Sequence, residues 1–248
     1  MSRPERKRAR RRERDGAERK SGGERSSGAA SSHGPRPRTP RYGGIVGVVA
    51  VVILVLITIN TIVTKPNGVK GLGPGEQLPP FAVPLALGSL SGDADTARHS
   101  DEGSAGRVPA CQERGARILN VCELYEGAPL MLALFVDGGS CPDVLSDMQA
   151  LAPSFPGVHF AAVAIKGGRA NVRKLIHSRG LTMPVGLDSD GALAALYKVA
   201  TCPQLTFVYP GGEAQGQAIL SHPSRATLRA RLRELVAGSR ERGWKGPA

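Results

Sequence analysis

A cysteine lies where an apolar strand gives way to a helix, and that position can make a thiol reactive. Residues 130–136 form an unbroken apolar run, which predicts a strand buried on both faces. A turn cluster follows, and then Cys141. Pro142 and Asp143 favour the first turn of a helix, because proline is tolerated there and a carboxylate suits the positive end of the helix dipole. Free amides at this end stabilise a thiolate, which predicts a reactive Cys141. The alternative is a small buried cysteine without a chemical role.

An apolar segment near the N-terminus is long enough to cross a bilayer. Residues 44–64 are 21 residues without a charge. Four Lys or Arg residues lie within about 20 positions before the segment, and two lie within a similar distance after it. The positive-inside rule then puts the N-terminus in the cytoplasm and residues 65–248 outside. We expect a single-pass protein of the cell membrane, with the lipid bilayer as a partner.

The basic charge of the chain is concentrated in its N-terminal tail. Residues 1–43 hold 14 Lys/Arg and 5 Asp/Glu, a net charge of +9 out of +12 for the whole chain. The tail lacks the apolar residues of a core and is predicted to be disordered. Because the rest of the chain carries little excess charge, we expect no nucleic-acid partner. Contact of the tail with anionic lipid is the favoured interpretation, and nucleic-acid binding by the tail is the disfavoured alternative.

Two further cysteines, Cys111 and Cys122, enclose ten residues. The chain has four cysteines, and an even number in an oxidising compartment favours disulfide bonds. We predict a structural Cys111–Cys122 bridge, with free or metal-bound thiols as the alternative. The spacing is not a CxxC motif, and no pair of nearby histidines completes a zinc set. Neither a metal nor a cofactor is therefore predicted.

Apolar and turn patterns predict strands that alternate with helices after a Gly/Pro-rich tether at 65–77. The predicted strands are 118–124, 130–136, 158–165, 184–187, 205–209 and 214–220, and the predicted helices begin near 142, 169, 192 and 224. The turn at 210–212 joins the last two strands into a hairpin. Together these elements predict an α/β sandwich with a mixed sheet.

Three motifs resemble the thioredoxin-like family. They are FVDGGSCPDV at 135–144, GLDSDGALAALYKV at 186–199 and TCPQLTFVYPGG at 201–212, and the entry segment LPPFAVPLAL at 78–87 resembles its membrane-anchored redoxins and thiol-disulfide oxidoreductases. The resemblance implies a thioredoxin-like three-layer sandwich over residues 78–238. It also implies that Pro203 is a cis-proline facing Cys141, and that Cys141 is the nucleophile. We expect residues 239–248 to be disordered.

The sequence departs from this family at the resolving cysteine. Val144 stands where the CxxC motif of the family has its second cysteine. Cys202 instead precedes Pro203, and the resemblance implies that a residue at this place packs against Cys141. These two cysteines, 61 positions apart, are therefore the candidate redox pair, with Pro203 beside them.

Three functions fit these residues. The first is an extracytoplasmic thiol-disulfide oxidoreductase acting on protein thiols and disulfides, in which Cys141 attacks and Cys202 resolves the mixed disulfide. The second is a catalytically inactive binding module of the same fold, stapled by its disulfides. The third is a peroxide-reducing redoxin with a single reactive cysteine. The third is disfavoured, because the threonine and proline that usually precede such a cysteine are not at the expected places.

Overall fold

The computed structural model describes residues 42–63, 71–100 and 108–247. Its contacts divide the chain into two units, Met1–Ile57 and Thr58–Ala248. The helices are α1 Tyr42–Val63, α2 Val121–Tyr125, α3 Asp143–Leu151, α4 Arg169–Arg179, α5 Ala192–Leu196 and α6 Arg225–Glu241. The strands are β1 Ala82–Pro84, β2 Ile118–Asn120, β3 Leu130–Phe135, β4 His159–Ile165, β5 Val185–Asp188 and β6 Gln204–Val208.

The apolar N-terminal segment is helical and forms α1. Its side chains are described from Val46 to Thr58, and all of them are exposed. Within the part of the chain that the structure describes, no helix is both long enough and apolar enough to cross a membrane. The predicted span over residues 44–64 is therefore not confirmed and stays a prediction. The predicted disorder of the tail falls on residues 1–41, outside the described residues, and on the first two residues of α1.

A four-stranded mixed sheet lies at the centre of the second unit, in the order β5-β4-β3-β6. β3, β4 and β5 run parallel, and β6 runs antiparallel to β3. The chain then returns along β6 through bridges at Leu205–Ile219 and Val208–Ala214, where the sequence predicts the second strand of a hairpin. β1 and β2 pair separately as an antiparallel two-stranded sheet. The predicted α/β fold with a mixed sheet is confirmed.

Both faces of the central sheet are covered, because successive side chains of a strand point to opposite sides. The odd-numbered side chains from Met131 to Phe135 belong to one buried cluster, and the even-numbered ones from Leu130 to Leu134 belong to the other. The first cluster includes the apolar faces of α3, α4 and α6. The second includes residues of β1, β2, α2 and α5. The sheet is therefore the middle of three layers, and β3 is buried along its whole length.

The predicted strand at 118–124 is wrong beyond Asn120, where a helix begins instead. The side-chain oxygen of Asn120 accepts hydrogen bonds from the backbone N–H groups of Cys122 and Glu123 in the first turn of α2. Its amide nitrogen donates to two carbonyls of the preceding loop. Asparagine is a favoured helix N-cap, so this buried side chain ends a strand that the apolar pattern alone continues.

The folded domain begins inside the predicted tether at 65–77. Leu72 is buried, and its carbonyl oxygen accepts a hydrogen bond from the N–H of Ala218. The N–H of Gly75 donates to the carbonyl of Ala214. From residue 71 onward, the predicted tether therefore packs along the segment that follows β6.

The C-terminal end is also packed beyond the predicted domain limit at residue 238. α6 continues to Glu241, and Trp244 and Pro247 then lie over Gly157. A Cβ atom at position 157 would come within 2.8 Å of Pro247 and 3.0 Å of Trp244, so only glycine leaves room for both rings. The sequence predicts disorder at 239–248, whereas the structure places residues 239–247 in the end of α6 and in this packed segment. The reason is that the single tryptophan of the chain finds an apolar surface there.

Two carboxyl groups meet at the carboxyl end of β5. Asp188 is fully buried, and its oxygens accept hydrogen bonds from the N–H groups of Gly191 and Leu193 at the start of α5. Asp190 accepts one from the N–H of Ala94. Burial, and next the hydrogen bond with Asp190, raise the pKa of Asp188 to about 6. The folded protein therefore holds a proton on Asp188 more tightly than the unfolded chain does.

We predict that this carboxyl group makes the domain less stable as the pH rises. Because the pKa of Asp188 is higher in the folded state, its contribution is fully present below about pH 4 and is lost as the pH rises towards and through about 6. Asp188→Asn should remove roughly 1–3 kcal/mol of this pH dependence while keeping a hydrogen-bond acceptor. Urea unfolding of the full chain, followed by the fluorescence of Trp244, measures it. Asp93→Asn, at an exposed carboxylate, is the matched control, and an unchanged pH slope in Asp188→Asn would refute the assignment.

Candidate active site

The mixed sheet brings two distant cysteines to one edge. Cys141 follows the carboxyl end of β3, and Cys202 precedes the amino end of β6. Because β6 runs antiparallel to β3, its amino end lies at the carboxyl end of β3, with Leu134 paired to Gln204. The chain segments that carry the two cysteines therefore leave and enter the sheet side by side.

Cys141 and Cys202 are joined by a disulfide bond in the structure. Their Cα atoms are 5.4 Å apart, within the range that a disulfide requires. The peptide bond between Cys202 and Pro203 is cis. Cys141 is buried, with 6% of its surface exposed, whereas Cys202 is half-buried. The structure thus brings together all three residues that the sequence predicts for the site, and Cys202 is the more exposed of the two cysteines.

A backbone amide is directed at both sulfur atoms. The N–H of Val136, one residue past the end of β3, donates to the Sγ of Cys202 at 3.1 Å and to the Sγ of Cys141 at 3.3 Å. A hydrogen bond to a charged form favours that form, so this donor would stabilise whichever sulfur becomes a thiolate. The sequence predicts no role for Val136 in the site, since a backbone donor leaves no signal in residue type.

The helix after Cys141 also affects the stability of a thiolate at this site. α3 begins at Asp143, one residue later than predicted, so Cys141 lies two positions before the first helical residue. The carboxylate of Asp143 would oppose a thiolate nearby, but Arg179 at the end of α4 binds it at 2.6 Å and also donates to Ser146. The guanidinium thereby offsets a negative charge at the end of the helix that faces the cysteine. Arg179 is a second site residue that sequence reasoning missed, because it lies 38 positions after Cys141 along the chain.

The surroundings of the disulfide are open. Residues 138–140 and Thr201 are exposed, and the apolar side chain of Val136 is 42% exposed. Asp137, between Val136 and this loop, has one buried carboxylate oxygen without a hydrogen-bond partner among the described residues. The site is therefore an exposed rim that carries an apolar patch, rather than a deep cleft.

The other two cysteines form a second disulfide, away from this edge of the sheet. Cys111 lies in a short 3-10 helix and Cys122 in α2, and their Cα atoms are 5.4 Å apart. The bond closes the loop between them, on the side of the sheet that carries β1 and β2. Among the residues that the structure describes, no group of three or more His, Cys, Asp or Glu side chains could hold a metal ion.

Comparison with known proteins finds similarity only to solved structures. The sequence matches no family model, and no curated protein is similar to it. A secreted Mycobacterium tuberculosis disulfide oxidoreductase homologous to E. coli DsbE is 19% identical with a TM-score of 0.44, over 48% of this chain and 89% of its own. MTB DsbF, in its mixed oxidized and reduced forms, is 22% identical with a TM-score of 0.44, over 48% and 88%. A thioredoxin-family thiol:disulfide interchange protein from Chlorobium tepidum TLS is 14% identical with a TM-score of 0.49, over 66% and 98%. At these identities and TM-scores, the similarity carries no argument about function.

We predict that the Asp143–Arg179 ion pair keeps Cys141 reactive once the disulfide is reduced. Arg179→Gln leaves unpaired the carboxylate of Asp143, two positions after Cys141, and an uncompensated negative charge there disfavours the thiolate. Alkylation of Cys141 at neutral pH should then slow by about two- to fivefold, the range expected for a partly exposed ion pair. Peptide mapping after timed alkylation measures the rate. Lys174→Gln, an exposed cation on the same helix, should alkylate at the parent rate, and an unchanged rate in Arg179→Gln would show that the pair has no such role.

Proposed function

We propose that this protein is an extracytoplasmic, membrane-anchored thiol-disulfide oxidoreductase that uses Cys141 and Cys202 as its redox pair. One observation supports it above all: two cysteines 61 positions apart have their Cα atoms 5.4 Å apart at a sheet edge, with one amide donor directed at both sulfurs. A disulfide with only a structural role does not need a hydrogen-bond donor directed at its sulfur atoms. A pair that alternates between disulfide and thiolate gains from it in the reduced state.

The exposure of the two sulfurs suggests an order of attack opposite to the one expected from sequence. An incoming substrate thiolate reaches the half-buried Cys202 more readily than the buried Cys141. Attack at the Sγ of Cys202 forms a mixed disulfide and breaks the Cys141–Cys202 bond. The electron pair of that bond leaves on Cys141 as a thiolate. Cys141 is a suitable leaving group, because the helix end and the Val136 amide stabilise its anion and a low-pKa thiol leaves faster.

The second half of the reaction completes a two-electron exchange. A second thiolate of the substrate attacks the substrate sulfur of the mixed disulfide, and Cys202 leaves as a thiolate. The substrate dithiol is thereby oxidised to a disulfide, and the Cys141–Cys202 disulfide is reduced to two thiols that take up two protons. Run in reverse, the same steps reduce a substrate disulfide.

The open rim around the disulfide favours protein substrates. Small-molecule sites are usually concave and bury most of the ligand, whereas residues 138–140 and Thr201 are exposed here. The exposed Val136 offers an apolar contact to a polypeptide that carries the substrate cysteines. A peroxide-reducing redoxin is a weaker candidate, because both cysteines at this edge are paired with each other.

One observation favours the second candidate function, an inactive binding module. Cys141 is 6% exposed in the disulfide form, and a buried disulfide is a common staple. The two functions differ in whether the bond exchanges with substrate thiols. Trapping of mixed disulfides therefore separates them.

We predict that Cys141→Ser accumulates mixed disulfides on Cys202 and that Cys202→Ser accumulates far fewer. In Cys141→Ser the accessible thiol remains and no internal thiol can resolve its adducts. In Cys202→Ser the remaining thiol is buried. The full chain, reduced beforehand and freed of reductant, is incubated in membranes with an unfolded protein that carries disulfide bonds, so that the remaining thiolate forms a mixed disulfide by exchange and releases a substrate thiolate. The reaction is quenched with acid, alkylated and analysed on non-reducing gels, with peptide mapping of each adduct.

The control for this experiment is the double variant Cys111→Ser with Cys122→Ser. It should lose about 2–3 kcal/mol of stability, because the bridge closes a short loop. Its reactive pair should still exchange with the substrate as in the parent. Adducts mainly on Cys141 would support the enzyme with the opposite order of attack. No adducts in either single variant would reject the oxidoreductase in favour of the binding module.

The membrane anchor is a separate part of the proposal. The 21 uncharged residues at 44–64, and the excess of Lys and Arg before them, support one crossing with the N-terminus inside. Exposed apolar side chains along the described part of α1 suit contact with lipid.

We predict that protease added to intact spheroplasts degrades residues 65–248 and spares a tag placed at the N-terminus. Permeabilised cells are the control, since the tag should then be lost as well. Protection of the C-terminal domain in intact spheroplasts would contradict the proposed orientation, whether or not the cysteine pair is active.

A further inference from the structure

A groove with three arginines lies at the far end of the domain from the cysteines. It measures about 590 Å³ and is formed between α6, the turn after α3 and the C-terminal segment. Its lining residues include Phe155, Arg229, Arg233, Val236, Arg240 and Trp244. The volume lies in the range of natural small-ligand sites.

The arginines in the groove differ from the others of this region in having no carboxylate partner among the residues that the structure describes. Arg225, Arg231 and Arg242 each form an ion pair with a carboxylate. Arg229, Arg233 and Arg240 form no ion pair or side-chain hydrogen bond among the described residues. They are spaced by four and seven positions, which places them on one face of α6. Three arginines that line one groove, with no carboxylate among its lining residues, make a site for an anion, and the planar fork of arginine suits phosphate oxygens.

The remaining lining is apolar and aromatic. Phe155, Val236 and Ala237 lie beside the arginines, and Trp244 is held over Gly157 at the other margin. Nucleic acid or an acidic peptide would match the charge but leave this apolar surface unused. A ligand with a phosphate at one end and hydrocarbon next to it matches both parts. Tryptophan is also the side chain most suited to the boundary between headgroups and hydrocarbon.

The position of the groove fits a membrane contact that leaves the cysteines free. Residues 154–156 follow the C-terminal end of α3, whereas Cys141 precedes its N-terminal end. Nine helical residues separate the two ends, a rise of about 13 Å. A bilayer surface bound at the groove would therefore not cover the disulfide.

We propose that this groove binds the headgroup of an anionic phospholipid, with Arg229, Arg233 and Arg240 on the phosphate and Trp244 against the glycerol and upper acyl chain. The groove is a peripheral membrane site on the folded domain, additional to any anchor at α1. It does not depend on the chemistry of the cysteine pair.

The test uses Trp244, the only tryptophan of the chain, as a local reporter. The full chain is reconstituted into phosphatidylcholine vesicles with increasing phosphatidylglycerol, and the emission of Trp244 and its quenching by acyl-chain-brominated lipid are recorded. We expect a blue shift and saturable quenching with phosphatidylglycerol, and neither in phosphatidylcholine alone. The double variant Arg229→Gln with Arg233→Gln should need about tenfold more anionic lipid, since each cation near such a surface adds to binding.

Arg231→Gln is the matched control, because Arg231 lies on the same helix and is paired with Glu234. It should respond as the parent does. Equal quenching with and without phosphatidylglycerol, or an unchanged response in the double variant, overturns the proposal. So does an equal blue shift with glycerol phosphate, which would indicate a free phosphate ligand. Displacement of the lipid by a short acidic peptide at lower concentration would indicate a protein partner instead and would also overturn it.

Discussion

The antiparallel pairing of β6 with β3 is the constraint on which the candidate site depends. β4 and β5 run with β3, so the segments after all three strands emerge at one edge of the sheet. Only a strand that runs in the opposite direction can place the segment that precedes it at that edge. With β6 reversed, Cys202 would lie at the other end of the strand, about 17 Å away for five residues. The register that pairs Leu134 with Gln204 then fixes which residues meet, and the disulfide joins Cys141 to Cys202 at a Cα separation of 5.4 Å.

The regular parts of the fold were predictable because their signals are local. An unbroken apolar run marks β3, and α4 runs over the predicted residues 169–179 and ends at Gly180, whose left-handed conformation suits glycine. The predictions are wrong where one side chain, or packing against residues distant in sequence, determines the structure. Asn120 ends a strand through hydrogen bonds that residue type alone does not announce. Leu72 and Trp244 lie in segments whose composition predicts linkers, and both are held by packing against residues distant in sequence.

The candidate site also has parts that the sequence could predict and parts that it could not. The cysteines, the proline and the helix start could be found from residue types and their order. The Val136 amide and the Arg179 guanidinium could not, since one is backbone and the other depends on how α4 packs beside α3. The relative exposure of the two sulfurs is likewise a property of packing. In the proposed reaction, this difference in exposure makes Cys202 the residue that the substrate thiolate attacks and Cys141 the leaving group.

The two ends of α3 differ in their electrostatic environment. Asp143 is paired with Arg179, and Asp147 accepts from both His222 and Arg225, so the acidic side chains of the helix are locally compensated. The helix dipole is then left to favour an anion at the cysteine end and cations at the other end, where the arginine groove lies. That dipole supplies only about half of one negative charge, against three guanidinium groups on α6. Among the described residues a positive excess therefore remains at the groove, which supports the proposed anionic ligand.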